Sequence, residues 1–325
     1  MALQALYFVL GLVALYYGAE WLVRGAGRLA RSLGVSALVV GLTVVAFGTS
    51  APELVVSVLA ALEGRSDVAM GNVVGSNIAN IALILGVAAV IYPMRVEAGL
   101  VRREIPVMIA VQLLLVLLAL NRSLGRLDGV LLMAGLVAYN VWVLRSSKAT
   151  LGTEPAVEAE FSAFESADAI EPLRNGRGRN AMLIVLGLAA LVLGAQLLVD
   201  AAVFFARTFG VSELVIGLTV VAVGTSLPEL ATSVLAALRH EADIAVGNVV
   251  GSNIFNALGI LGVAATVQPI TVAEPLLRLD LPVMIAVCLA LLPLAARRLR
   301  LGRGEGLLLL GGYVAFTVVL LWRQS

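Results

Sequence analysis

Residues 41–86 read GLTVVAFGTSAPELVVSVLAALEGRSDVAMGNVVGSNIANIALILG, and residues 217–262 read GLTVVAVGTSLPELATSVLAALRHEADIAVGNVVGSNIFNALGILG. The two stretches agree at 32 of 46 positions, at an offset of 176 residues without a gap. Each places G-T-S-x-P-E inside one apolar run and G-N-V-V-G-S-N-I-x-N inside the next. Within a lipid-spanning segment a proline breaks the hydrogen-bond ladder and a carboxylate is costly to desolvate. Both occur twice here, so these segments are expected to carry the function and the rest of the chain to bring them face to face.

Outward from this core the same offset holds. Gly18-Ala19 matches Gly194-Ala195, Gly34-Val35-Ser36 matches Gly210-Val211-Ser212, and 106–111 matches 282–287. The background is apolar throughout: 61% hydrophobic and 13% charged residues, with a mean hydropathy of +1.03. A soluble chain carries about a quarter charged residues, so this is an integral membrane protein. A span needs about 20 apolar residues. That length places ten spans near 4–25, 36–62, 68–92, 104–120, 127–145, 181–205, 212–238, 244–268, 280–296 and 304–322. The N-terminal run lacks a basic leader and a small-residue cleavage site, so it reads as a first span.

The expected fold class is an all-α membrane protein with ten transmembrane helices in two five-helix repeats, 1–145 and 181–325, joined by a linker at 146–180. Five spans per repeat is an odd number, so the second copy enters the membrane inverted. Inverted repeats are the plan of secondary transporters, whose substrate sites lie near the midplane between repeats. The linker is acidic in its middle (Glu154, Glu158, Glu160, Glu165, Asp168, Glu171) and basic at its end (Arg174, Arg177, Arg179), which fits a solvated connector. With the N-terminus outside, 16 Lys and Arg residues fall in inner loops and 6 in outer ones. The positive-inside rule therefore puts the linker in the cytoplasm and both termini outside a cell membrane.

Glu53 follows Thr49 by four residues and Ser50 by three, so the three side chains share a helix face. Pro52 frees carbonyls of the preceding turn, near Ala46 and Gly48. The second copy repeats this with Ala222, Thr225, Ser226, Glu229 and Pro228. In the following spans Ser76 and Asn80, and likewise Ser252 and Asn256, lie one turn apart. Asn77 and Asn253 are expected to stabilise a broken helix. Together these groups offer carboxylates, hydroxyls, amide oxygens and carbonyls, with no sulfur and no imidazole. That is a donor set for hard cations; Ca²⁺ takes 6–8 oxygens. Two facing carboxylates repel each other unless cations sit between them, and one Ca²⁺ or two Na⁺ would balance them.

At these residues the chain resembles the sodium/calcium exchangers of the calcium/cation antiporter superfamily, in their prokaryotic form. The paired G-T-S-x-P-E and G-N-V-V-G-S-N-I-x-N stretches look like that family's two alpha-repeats. The resemblance implies that Glu53 and Glu229 bind both Ca²⁺ and Na⁺. It implies that Thr49, Ser50, Thr225, Ser226 and the carbonyls of Ala46 and Ala222 complete flanking Na⁺ sites, and that Ser76, Asn80 and Ser252 contribute from spans three and eight. It further implies exchange of three Na⁺ for one Ca²⁺, with spans one and six as the moving elements. Potassium-dependent relatives carry Asp where this chain has Asn256, so no K⁺ requirement is expected.

The alternative transporter is a Ca²⁺/H⁺ antiporter using the same two glutamates. A channel would be expected to build its pore from an oligomeric ring, whereas the pseudo-symmetry here is internal. An enzyme would need a nucleophile and base or a metal motif. The chain has one His and one Cys, His240 and Cys288, both without a place in the repeated motif's chemistry. A single cysteine excludes an intrachain disulfide. The net charge of +1 gives no sign of a nucleic-acid partner. No cofactor and no obligate protein partner are expected; the partners are Ca²⁺, Na⁺ and the bilayer. Glu20, Gln196 and Asp200 read as structural, His240 as solvated, and Asp67 and Asp243 as helix caps.

Overall fold

In a computed structural model, the described residues are 1–33, 35–150, 177–209 and 224–322. Most of the linker, 151–176, and the residues 210–223 before the second G-T-S lie outside them. The architecture is helical. The helices are α1 (Ala2–Leu33), α2 (Ala37–Thr49), α3 (Ala51–Leu62), α4 (Ser66–Ile91), α5 (Ile105–Ala119) and α6 (Arg126–Thr150). They continue with α7 (Arg177–Thr208), α8 (Leu227–Leu238), α9 (Ala242–Val267), α10 (Leu281–Ala296) and α11 (Arg303–Trp322).

Among the described residues seven helices are long and apolar enough to cross a membrane, and eight when the bent pair α2 and α3 counts as one span. Two expected spans are not among these eight. The one at 104–120 is the 15-residue α5, preceded by a π-turn, Leu100–Glu104, that carries Arg102 and Arg103. The one at 212–238 is described only from residue 224 onward and contributes the 12-residue α8.

The proline of each G-T-S-x-P-E sits in the first turn of the helix that follows it, where its missing N–H has no partner to lose. The axis bends by 47° between α2 and α3. Ser50, at the break, has φ −83° and ψ 9°, and Ser226 has φ −90° and ψ 8°. Wider π-turns recur at matched positions: Asn80–Leu85 with Asn256–Ile260, and Leu100–Glu104 with Leu276–Asp280. Such turns cluster at functional sites because they redirect side chains within a continuous helix.

Helices α3, α4, α8 and α9 pack on one another at the centre of the molecule. α4 and α9 are the most enclosed, with 72% and 89% of their apolar stretch buried, against 39% or less in the other five long helices. α6 lies against α9, and α11 against α4. Outer helices show large apolar side chains to their surroundings, such as Leu117, Val137 and Leu308, as expected of lipid-facing surfaces. α1 and α7 run antiparallel in close contact. A Cβ at Gly187 would stand 2.8 Å from the Gly18 carbonyl, and only glycine allows that approach. Short strands tie the ends: β1 (Met94–Arg95) pairs antiparallel with β4 (Arg300–Leu301), and β2 (Ser123–Leu124) with β3 (Ile270–Thr271).

Asp67 and Asp243 stand inside the first turns of α4 and α9, one residue past the helix start; Arg65 and Glu241 occupy the cap positions. The acids therefore serve the positive end of the helix dipole in place of the expected capping role. Glu20 is buried and paired with Arg24 and Arg239, in keeping with a structural part. His240 is exposed, and its Nδ1 lies 2.7 Å from the Tyr92 hydroxyl.

Candidate cation site

Each break sets a glutamate in the first turn of the following half-helix, and both are 1% exposed. The serine preceding each break reaches the glutamate of the other copy. Ser50 Oγ donates to Glu229 Oε1 at 2.9 Å, and Ser226 Oγ donates to Glu53 Oε1 at 3.3 Å. Ser226 Oγ also lies 3.4 Å from Ser76 Oγ. Thr49 flanks Glu229, and Thr225 flanks Glu53. The two copies are thus interlocked at their carboxylates.

Several buried oxygens at this centre have no hydrogen-bond partner: Glu53 Oε2, Glu229 Oε2, Asn80 Oδ1, Asn256 Oδ1 and Ser252 Oγ. A buried acceptor left unpaired costs about 1–3 kcal/mol, more if charged. Four of these are carboxylate or amide oxygens and the fifth a hydroxyl that can also accept, and oxygens with no donor to meet them suit a cation. Among the described residues no group of three or more His, Cys, Asp or Glu is placed to hold a metal ion. Two carboxylates and neutral oxygens are the available ligands, which favours a hard, exchangeable ion over a tightly held soft metal.

The orientation of the amides follows from a clasp between α4 and α9. Asn253 Nδ2 donates to the Asn77 carbonyl at 3.1 Å, which only accepts, so Asn253 Oδ1 must face Asn80 and take its Nδ2 at 3.0 Å. In the mirrored arrangement Asn77 Nδ2 faces the Asn253 carbonyl at 3.5 Å, and Asn77 Oδ1 takes Asn256 Nδ2 at 3.0 Å. Both Asn80 and Asn256 therefore keep Oδ1 for another partner. Gln112 adds Nε2 to the Asn253 carbonyl at 2.9 Å and accepts Asn77 Nδ2 at 3.3 Å. Asn77 and Asn253 hold the two copies together, which is more than the local helix stabilisation expected of them.

Of the residues expected at the site, Glu53, Glu229, Ser50, Ser226, Thr49, Thr225, Ser76, Asn80, Ser252 and Asn256 lie on the central helices or at the breaks between them. Ala222 lies outside the described residues. The Ala46 carbonyl is not left bare by Pro52: it takes the Ser50 N–H at 3.1 Å and has Thr49 Oγ1 at 3.4 Å. The i−4 relation makes Gly48 the carbonyl that Pro52 itself cannot reach.

Two further pairs were missed in the sequence. Asn72 Nδ2 donates to the Glu53 carbonyl at 3.2 Å and to Ser57 Oγ at 2.9 Å. Asn248 Nδ2 donates to Ser233 Oγ at 3.1 Å, and its Oδ1 accepts Thr49 Oγ1 at 3.1 Å. All four recur at the 176-residue offset, Asn in G-N-V-V-G and Ser in S-V-L-A-A-L. That recurrence was the signal available.

The chain matches the family described as Sodium/calcium exchanger protein over residues 3–145 and 180–322. It is 40% identical to CaxA of Alkalimonas amylolytica over 323 residues, covering 98% of this chain and 99% of that one. It is 39% identical to the sodium/calcium exchanger MaX1 of Methanosarcina acetivorans over 343 residues, covering 98% of each. Among solved structures, the sodium-calcium exchanger NCX_Mj soaked with zero Na⁺ and Ca²⁺ superposes with a TM-score of 0.83 at 33% identity, over 98% of this chain and 99% of that one.

Proposed function

Because the chain belongs to the sodium/calcium exchanger family, we propose that it exchanges Na⁺ for Ca²⁺ across a cell membrane by alternating access, with Glu53 and Glu229 as the shared carboxylates. The observation that carries this reading is the reciprocal grip Ser50–Glu229 and Ser226–Glu53, which leaves the second oxygen of each carboxylate buried and unpartnered. Two such oxygens, with Oδ1 of Asn80 and Asn256 and Oγ of Ser252, supply part of the 6–8 oxygens that Ca²⁺ takes. When Ca²⁺ leaves, two Na⁺ restore the charge balance. Thr49, Ser50, Ala46, Thr225, Ser226, Ala222 and Ser76 complete Na⁺ positions on either side. A third Na⁺ makes the exchange electrogenic.

The architecture that serves this function is ten spans in two inverted five-helix repeats, 1–145 and 181–325, with a cytoplasmic linker at 146–180 and both termini outside. Matched breaks and matched π-turns at the 176-residue offset, and a strand pair between the copies at each of two places, support it. Asn256 adds no third carboxylate, so K⁺ is not required.

The test is ⁴⁵Ca²⁺ uptake into proteoliposomes loaded with Na⁺, with K⁺, or with a proton gradient. Uptake is expected only with internal Na⁺, unchanged by K⁺, and lost in Glu53→Gln and in Glu229→Gln. Uptake driven by the proton gradient without Na⁺ would overturn the Na⁺ reading, and flux surviving both substitutions would overturn the site.

A further inference from the structure

From the hydrogen-bond chain behind Thr49, we infer that Asn248 is a positioning residue for Na⁺: it takes the Thr49 proton, and so turns both the Thr49 oxygen and the Ala46 carbonyl toward the ion. The inference rests on the exchange reading above and goes further, because it gives a role to a residue outside the ligand set.

Thr49 has a single hydroxyl proton. Asn248 Oδ1 stands 3.1 Å from Thr49 Oγ1, and the Ala46 carbonyl stands 3.4 Å away. If the proton goes to Asn248, the hydroxyl lone pairs and one side of the Ala46 carbonyl are available to a cation. If it goes to Ala46, the hydroxyl and the carbonyl satisfy each other and both are withdrawn. The Glu229 carboxylate is a third acceptor beside Thr49, and the first course requires Asn248 to present oxygen, not nitrogen, to Thr49.

The structure assigns that orientation. Asn248 Nδ2 is engaged by Ser233 Oγ at 3.1 Å. Its repeat counterpart, Asn72, gives Nδ2 to Ser57 Oγ and also to the Glu53 carbonyl, and a carbonyl oxygen has no proton to offer. Asn72 is therefore fixed with nitrogen toward α3, and Asn248, set the same way against α8, keeps oxygen toward Thr49. Asn248, Thr49 and Ser233 are all fully buried, so water does not compete for these bonds. Polar groups behind a ligand commonly set its orientation, and losing one costs on the order of 10–100-fold in metal affinity.

The experiment measures Na⁺-driven ⁴⁵Ca²⁺ flux in proteoliposomes and reads the half-saturating concentrations of Na⁺ and Ca²⁺ separately. It uses Asn248→Leu, Asn248→Asp, Thr49→Val and the Thr49→Val/Asn248→Leu double variant. Asn248→Leu is expected to raise the Na⁺ value about tenfold, with a smaller change for Ca²⁺, which leans on the two carboxylates. Asn248→Asp keeps an oxygen for the Thr49 proton and should recover most of that loss. The double variant should be no worse than Thr49→Val, because Asn248 acts through Thr49.

Additive losses in the double variant would overturn the inference, as would a fall in maximal rate with both half-saturating values unchanged. If Asn248→Leu does not fold, Asn248→Ser withdraws the acceptor without adding apolar bulk and reads the same quantity. Thr49→Val leaving the Na⁺ value unchanged would instead remove Thr49 from the site. Absence of Na⁺-driven flux in the unsubstituted protein would remove the exchange reading itself, and the inference with it.

Discussion

Glu20 offers a perturbation whose sign should reverse with its surroundings. Its side chain is 7% exposed, Arg239 grips both carboxylate oxygens (Nη2 to Oε1 at 2.5 Å, Nε to Oε2 at 3.0 Å), and Arg24 holds Oε1 at 2.5 Å. The two arginines are 43% and 54% exposed, so each can turn to water if released. Arg24→Gln removes a half-solvated pair one turn away and should cost about 0.5 kcal/mol. Arg239→Gln removes the two-point grip but leaves Arg24 beside the carboxylate, for about 1.5 kcal/mol. Removing both strands a buried charge, which costs about 3–5 kcal/mol. The double variant should therefore exceed the sum of the singles by about 2 kcal/mol. Glu20→Gln should destabilise the unsubstituted protein, by about 1–2 kcal/mol, yet stabilise the Arg24→Gln/Arg239→Gln protein. Thermal unfolding in detergent, followed by tryptophan fluorescence, reads each step. Additive arginine effects, or a Glu20→Gln change of the same sign in both backgrounds, would refute the reasoning that Glu20 is a desolvated charge held by two donors.

Three other outcomes follow from packing and polar satisfaction. Gly187→Val should lower the unfolding midpoint by the equivalent of about 1–3 kcal/mol, because even a Cβ would meet the Leu22 nitrogen at 2.7 Å and the Gly18 carbonyl at 2.8 Å. Gly71→Ala, with nothing within 4 Å of the new carbon, should be neutral or slightly stabilising in the same assay. Gln112→Leu should cost about 1–2 kcal/mol, since the Asn253 carbonyl would lose its nearer side-chain donor and keep, besides the Asn256 backbone N–H, only Asn77 Nδ2 at 3.5 Å, while Asn77 Nδ2 would lose the Gln112 oxygen. A midpoint equal to that of the unsubstituted protein would show that the clasp does not depend on Gln112.

The site was legible in the sequence because the expensive residues recur. A proline one residue before the carboxylate of a hydroxyl–carboxylate face specifies a helix break with the glutamate in the first turn of the next helix, and Ser50-Ala51-Pro52-Glu53 folds that way. What the copy alone did not show was the direction of hydrogen bonds. The freed carbonyl was placed at Ala46 as well as Gly48, yet Ala46 meets Ser50 N–H across a turn that stays closed. Asn72 and Asn248 stand one turn before the expected ligands Ser76 and Ser252, and their partners lie on other helices. Side-chain partners separated by 15 to 199 residues are set by tertiary packing, which local spacing does not encode. The run expected at 104–120 is helical over Ile105–Ala119 and continues back through the π-turn Leu100–Glu104, whose Arg102, Arg103 and Glu104 bring charge to that end.

Near-identical copies do not acquire identical surroundings, and their burial shows it. On α3, Val56 is 38% exposed and Leu59 51%; at the same offset on α8, Thr232 is fully buried and Leu235 is 8% exposed. The difference comes from α1, which lies against α8, and burial by a neighbour is a property of the pair of elements. Yet traces of it remain where the copies disagree. On α1, Glu20 reaches Arg239 at the C-terminal cap of α8, whereas its counterpart on α7 is Gln196 and the counterpart of Arg239 is Glu63. Likewise Gln112, which bonds both the Asn253 carbonyl and the Asn77 amide of the clasp, corresponds to Cys288. The ion site needs the same groups from both copies, so identity between them is retained there. An element seated on one copy needs partners on that copy alone, so the asymmetry of the structure is written in the mismatches of the repeat.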